Sequence, residues 1–497
     1  MHGGSFVTGN GASGLYNGTH FALNGVVVVT INYRLGVLGY LASESASLPG
    51  NYGFMDQRLA LQWTRDNIAS FGGNPSNVTI AGQSAGAMSA LCHLVSAKSQ
   101  GLFSQVVMES NPLGTPYHTR YTAGLNEELV ASYLSCASTN ITCLRSKTVA
   151  QILDAQNNAI NVGLSNFIGN ILPWGPTVDA GGEIAAQPYN LFREGKFPRL
   201  PILVGVNRDE GTLFVYEVIS SPVPYPYYGG FLEEVFPHSF LAVDALYPCG
   251  LLDCRPVMSQ IIADVFFLCP LVSSVKSLQS KSASTFYLYE FAHVLSFDPW
   301  GFRTFCVGEV CHGAELPFVF DTFSADGVSF SPSTAEQVLA AGMNNLWSHF
   351  VSSVNPNADT ATTSTTSFPF HRYSAALNGS VTVLDKNGTL TYNLRRSFCD
   401  YWATVSYADI WMLPSPPSTP PTPSPSRSRR RPIPTRSPSL HPSISPTKRP
   451  RRPTRVPSNQ PKSTKRPTIS PTSTRRPTTT RRPANRKESA AISLRGN

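Results

Sequence analysis

Over residues 1–413, apolar positions alternate between short β-branched runs and longer mixed stretches. Residues 26–32 form a nearly continuous branched run, the kind needed by a strand buried on both faces of a parallel sheet. Residues 54–71 mix polar and apolar side chains over a longer span, which predicts a helix lying on that sheet. Residues 78–81 are again short and apolar; they enter Gly82-Gln83-Ser84-Ala85-Gly86, and a helical stretch follows to about residue 97. Further strands are predicted over 105–108, 201–206 and 284–290, and helices over 333–351 and 398–410. This repetition predicts an α/β fold: a mainly parallel central sheet flanked by helices. No run of 18 or more apolar residues occurs, so no spanning helix is expected.

The pattern stops at residue 413, and composition shows why. Residues 414–497 hold 20 of the 39 basic side chains, one acid (Glu488) and 20 of the 41 prolines, for a net charge of +19. The remaining 19 basic residues face 29 acids, so residues 1–413 carry −10 and the overall +9 belongs to the tail. With repeated Arg-Arg-Pro and Ser/Thr-Pro units and few apolar side chains, 414–497 is expected to be a disordered tail. The first reading of this tail is a solvated stalk, O-glycosylated on its Ser/Thr-Pro units; the alternative is binding to an acidic polysaccharide, and an acidic, cysteine-bearing body argues against nucleic acid as the partner.

Chemistry concentrates at three places. Gly82-Gln83-Ser84-Ala85-Gly86 fits GxSxG, the tight strand-to-helix turn that exposes a nucleophilic serine. Its context, an apolar strand before and a helix after, is the one the chemistry needs. A serine nucleophile also needs a base and amide donors for the oxyanion. The Ala85 N–H follows the nucleophile, and His2-Gly3-Gly4-Ser5-Phe6 is a glycine-rich turn that can supply the amides of Gly4 and Ser5.

These motifs sit among Asn32-Tyr33-Arg34, Asn51-Tyr52-Gly53-Phe54-Met55-Asp56-Gln57 and Gly72-Gly73-Asn74-Pro75, and over residues 1–411 the chain resembles the type-B carboxylesterase and cholinesterase-like lipase family. The resemblance implies an α/β-hydrolase fold and a Ser84, Glu210, His312 triad with no cofactor or metal. Glu210 lies in Asn207-Arg208-Asp209-Glu210-Gly211 directly after a predicted strand. Spacing does not separate it from Asp209, and the preference for Glu210 rests on the resemblance. His312 lies in Cys311-His312-Gly313-Ala314-Glu315, where neighbouring glycines predict an exposed, mobile ring. Ser5 stands where the family more often has a third glycine, and Ser110 matches a supporting serine. Gln83 replaces the glutamate that cholinesterases carry, which removes a charge attractive to choline esters. The implied substrate is a small-molecule or lipid ester; the alternatives are a non-catalytic adhesion protein of the same family or an inactive fragment.

Nine cysteines fit a disulfide framework. The resemblance implies Cys136–Cys143 and Cys269–Cys399; spacing suggests Cys249–Cys254 and Cys306–Cys311, the latter bracing the His312 loop, and Cys92 remains as a buried thiol. Disulfides imply a secreted or secretory-pathway protein. The sequons at Asn17, Asn77, Asn140, Asn378 and Asn387 are about as many as chance provides and carry no weight. Because the glycine-rich turn begins at residue 2, the first strands and a signal peptide are expected upstream of Met1.

Overall fold

The computed structural model describes residues 1–44, 47–160, 172–178, 182–279, 284–299, 301, 303–325, 327–357, 370–374 and 379–405. The basic tail and residues 406–410 of the last predicted helix lie outside the described residues.

A six-stranded sheet forms the centre, with strands side by side in chain order. They are β1 (Thr79–Gln83), β2 (Gln105–Glu109), β3 (Ile202–Asn207), β4 (Phe286–Phe291), β5 (Ser380–Leu384) and β6 (Thr389–Tyr392). The first five pair parallel and β6 returns antiparallel. Every residue of β2, β3 and β4 is buried, as expected when helices cover both faces. Gln83 stands opposite Glu109, Glu109 opposite Gly205, and Gly205 opposite Tyr289. The carboxyl ends of four strands are therefore level, and the loops that follow them meet at one edge, where open α/β sheets carry their sites.

Helices α1 (Tyr52–Asn67) and α2 (Ala85–Val95) occupy the predicted stretches, and every residue of α2 from Ala85 to Leu94 is buried. Helix α3 (Glu210–Val218) follows β3 and packs on α4, the helical run Arg255–Leu278. Helix α5 (Thr334–Ser353) opens with a capping box between Ser333 and Glu336, and α6 (Arg396–Trp402) closes the described chain.

One expectation is corrected and another refined. Residues 26–32 form no strand: a strand needs a ladder partner, none of the described residues supplies one, and Val27 and Val29 are 43% and 40% exposed. Conversely, α4 is long and apolar enough to cross a membrane, with 24 residues and a mean hydropathy of 1.8 in its best window. Ser259, Asp264 and Pro270 interrupt the apolar run and hid it from a count of consecutive residues. Its window is 78% buried within the protein, and Asp264 pairs with Arg395 at 2.6 Å while accepting from the Tyr247 hydroxyl, so it is the core helix of this fold. The segment Ala263–Leu268 is wound as π-helix, and the Phe266 carbonyl accepts the Gly114 N–H at 2.8 Å.

Four disulfides join Cys136 to Cys143, Cys249 to Cys254, Cys269 to Cys399 and Cys306 to Cys311. Cys92 is a buried free thiol, pushed up to about 12 by burial.

Candidate active site

Strand β1 ends at Gln83 and α2 begins at Ala85, which leaves Ser84 alone to turn the chain. It does so at φ 57° and ψ −122°, a conformation that costs a non-glycine residue energy and must be held by its surroundings. The Ser84 N–H donates to the Glu109 carbonyl at 3.0 Å, and the Ser84 carbonyl accepts from Met88 at 2.9 Å. The glycines of the motif are steric necessities: a Cβ on Gly82 would run into the Gly86 backbone, and one on Gly86 into the Met1 carbonyl.

The turn His2-Gly3-Gly4-Ser5 lies against this elbow. A Cβ on Gly3 would sit 3.0 Å from the Ser84 Cβ, and Gly4, Ser5 and Phe6 all have positive φ. The Gly4 carbonyl accepts from Val7 and Thr8 at 3.0 Å, and the Tyr33 hydroxyl donates to the His2 carbonyl at 2.7 Å, which fixes the turn. Among the described residues no acceptor takes the Gly4 or Ser5 N–H, and the Ala85 N–H lies in the first turn of α2, where no helical partner exists. Three amide donors are thus left beside the serine.

Glu210 and His312 come together from different elements. Glu210 opens α3 just past β3, is fully buried, and its Oε1 accepts the Asn207 N–H at 2.7 Å. Its Oε2 lies 2.5 Å from His312 Nδ1. Asp209 turns away: it pairs with Arg208 at 2.7 Å and accepts the Val310 N–H at 2.8 Å. Geometry thus separates two carboxylates that spacing could not. His312 Nε2 lies 3.3 Å from the Gln83 side-chain nitrogen, and among the described contacts no hydrogen bond joins it to Ser84. The expected exposed ring is corrected: His312 is only 6% exposed, packed against Phe214 and Phe267 at centroid distances of 5.0 and 5.4 Å.

Behind this pair the sequence reading missed a set of buried carboxylates. Ser110, fully buried at φ 50°, donates to Glu315 Oε1 at 3.3 Å, and Asn207 Nδ2 lies 2.5 Å from Glu315 Oε2. Burial, then the charge of Glu210, pushes Glu315 up to about 7. Glu109 accepts the Trp347 indole N–H at 2.6 Å, and burial followed by the charge of Glu315 raises it to about 8. Glu315 and Asn207 sit inside the two motifs that carry His312 and Glu210; an acid three residues past the histidine was the available signal.

A cleft opens over Ser84, walled by Ser5, Met88, Phe214, Phe266 and Phe267. Among the described residues none that lines it is charged, and Phe266 and Phe267 come from the π-helical turn of α4.

Known proteins resemble this chain in sequence and fold. The carboxylesterase family matches residues 1–227 and 252–402. Among curated relatives, the cAMP-regulated D2 protein of Dictyostelium discoideum is 37% identical over 71% of this chain, and the crystal protein of the same organism 36% identical over 71%. The chain spans 65% and 64% of the lengths of those two relatives. A cholinesterase of Mus musculus is 31% identical, covering 81% of this chain and 68% of its own. Among solved structures, a PNB esterase superimposes with a TM-score of 0.66 at 26% identity, over 80% of each chain. With the family matched across most of the described fold, and a relative of more than 30% identity covered over two thirds of its length, the chain belongs to the carboxylesterase family.

Proposed function

We propose that this chain hydrolyses carboxylic esters through an acyl-enzyme, with Ser84 as nucleophile, His312 as general base and acid, and Glu210 as the group that orients the ring. The observation that carries this reading is the 2.5 Å contact between His312 Nδ1 and Glu210 Oε2. With its proton held at Nδ1, the imidazole keeps a lone pair on Nε2, the nitrogen that the Gln83 side chain approaches at 3.3 Å and that the reaction needs to face Ser84. Ser84 Oγ attacks the ester carbonyl while Nε2 takes its proton; the carbonyl electron pair moves onto oxygen, facing the amides of Gly4, Ser5 and Ala85. Collapse expels the alcohol, which takes the proton from Nε2, and water repeats the sequence to release the acid. The Ser84–His312 hydrogen bond that this needs forms with substrate bound, as apo sites are often loosely aligned.

Supporting the reading, relatives bear the names cholinesterase and PNB esterase. The uncharged cleft and the neutral Gln83 favour neutral, apolar esters over choline esters. Residues 1–413 form the hydrolase domain, secreted with its four disulfides, and residues 414–497 form a basic segment that engages acidic polysaccharide. The test is steady-state hydrolysis of p-nitrophenyl butyrate and butyrylthiocholine by the purified chain and by Ser84→Ala. Turnover of the neutral ester that Ser84→Ala abolishes is expected; a rate equal to Ser84→Ala on both esters would remove the enzymatic reading.

A further inference from the structure

We infer that Asn207 is a positioning residue, which locks the loop bearing His312 to the strand end bearing Glu210, with the Cys306–Cys311 disulfide closing that loop from its far side. The inference rests on the triad reading above. Asn207 is the last residue of β3 and is 2% exposed. Its backbone N–H donates to Glu210 Oε1 at 2.7 Å, and its side-chain Nδ2 donates to the carbonyl of Cys311 at 2.9 Å. Cys311 immediately precedes His312, so one asparagine grips the acid through its backbone and the base through the adjoining peptide. The same Nδ2 reaches Glu315, three residues beyond His312, so the loop is held on both sides of the ring. Asn207 Oδ1 is buried without a hydrogen-bond partner among the described residues. Leaving a buried acceptor unpaired costs free energy. An amide held here at that cost is present for its donors.

The disulfide completes the clamp. Residues 303–311 fold back on themselves, with the Cys306 N–H donating to the Arg303 carbonyl at 2.8 Å and the Asp209 N–H to the Val310 carbonyl at 3.1 Å. Phe305 stacks on Tyr216 at 5.6 Å and Arg303 pairs with Glu217, both on α3, the helix that Glu210 opens. Acid and base therefore share one mechanical frame. A catalytic histidine displaced by about 1 Å can cost on the order of 100-fold in rate.

The experiment compares Asn207→Leu, Asn207→Thr and the double variant Cys306→Ser/Cys311→Ser with Cys249→Ser/Cys254→Ser as a control disulfide, all in the full chain. Two quantities are read: kcat and KM for a p-nitrophenyl ester, and the downfield proton resonance of the His312 Nδ1–Glu210 hydrogen bond, assigned by its loss in His312→Gln. Asn207→Leu and the 306/311 variant should lower kcat at least tenfold with KM within about threefold, and broaden or abolish the resonance. Asn207→Thr, which keeps a hydroxyl donor, should recover part of both, and the 249/254 variant should keep both. If Asn207→Leu does not fold, the two disulfide variants decide. An unchanged kcat and resonance in the 306/311 variant, or equal losses in both disulfide variants, would overturn the inference. A wild-type chain that shows the resonance but no turnover would count against the proposed reaction alone, and the resonance in the variants would still test the clamp.

Discussion

Glu210→Gln is the sharpest perturbation of the site, because it keeps shape and removes only charge and proton preference. In the native arrangement Oε1 takes the Asn207 N–H at 2.7 Å and Oε2 faces His312 Nδ1 at 2.5 Å. A glutamine must keep its carbonyl oxygen on the Asn207 N–H, so its amide N–H₂ faces Nδ1 and donates there. The imidazole then carries its proton on Nε2, and the lone pair that should receive the Ser84 proton is turned away. Losing a hydrogen bond to a charged partner alone costs roughly 1.5–3 kcal/mol. With the tautomer reversed as well, the expected loss in kcat is about 10³- to 10⁴-fold, or roughly 4–5.5 kcal/mol. Asp209→Asn breaks only the exposed pairing with Arg208 and weakens the Val310 contact, so it should cost less than about tenfold. The assay is the steady-state rate and initial burst of p-nitrophenol, with circular dichroism to establish that both variants fold. A Glu210→Gln enzyme within tenfold of wild type, or an Asp209→Asn enzyme equally impaired, would refute the assignment of the acid.

Three further outcomes are expected. Glu109, raised to about 8 by burial and then by the charge of Glu315, binds a proton in the folded chain that the unfolded chain releases near its ordinary value of 4.5. That contribution is complete below about pH 4.5 and declines as pH rises through about 8, so Glu109→Gln should match wild type in thermal unfolding at pH 5 and exceed it at pH 8; a lower Tm at pH 8 contradicts this sign. Removing the Cys269–Cys399 bridge, with a sequence separation of 130, should destabilise by about 3–5 kcal/mol, against about 2 kcal/mol for Cys249–Cys254 with a separation of 5; urea midpoints in the reverse order would show that loop entropy does not govern these bridges. Deleting residues 414–497, which carry +19, should abolish salt-sensitive retention on immobilised heparin, and undiminished retention would place the polyanion contact elsewhere.

The parts of the fold legible in the sequence were those in which local pattern and tertiary setting coincide. The apolar runs that became β2 to β4 are buried on both faces, and the glycines around Ser84 are required by close backbone approach, so each left a local signature. Residues 26–32 carried a strand signature without a ladder partner among the described residues, because pairing is a property of two segments. Helix α4 was overlooked because polar residues interrupt its apolar run, and the partner that lets Asp264 be buried, Arg395, lies 131 residues away. At the site, the choice between Asp209 and Glu210 needed the direction of two neighbouring side chains, which spacing does not encode. His312 is buried because Phe214 and Phe267, 98 and 45 residues upstream, close over it; no local pattern announces that. Asn207 and Glu315 were visible as letters of two motifs, but only their convergence gives them a role.

The central claim is that Ser84 is an activated nucleophile, and covalent trapping tests it most directly. The purified chain would be treated with a fluorophosphonate and digested, and the modified peptide located by mass spectrometry, with Ser84→Ala and His312→Gln alongside. The account predicts one phosphonyl adduct on Ser84, formed quickly in the wild type, absent in Ser84→Ala and slowed at least 100-fold in His312→Gln. An adduct at another serine, or none on a chain that circular dichroism shows to be folded, would contradict it.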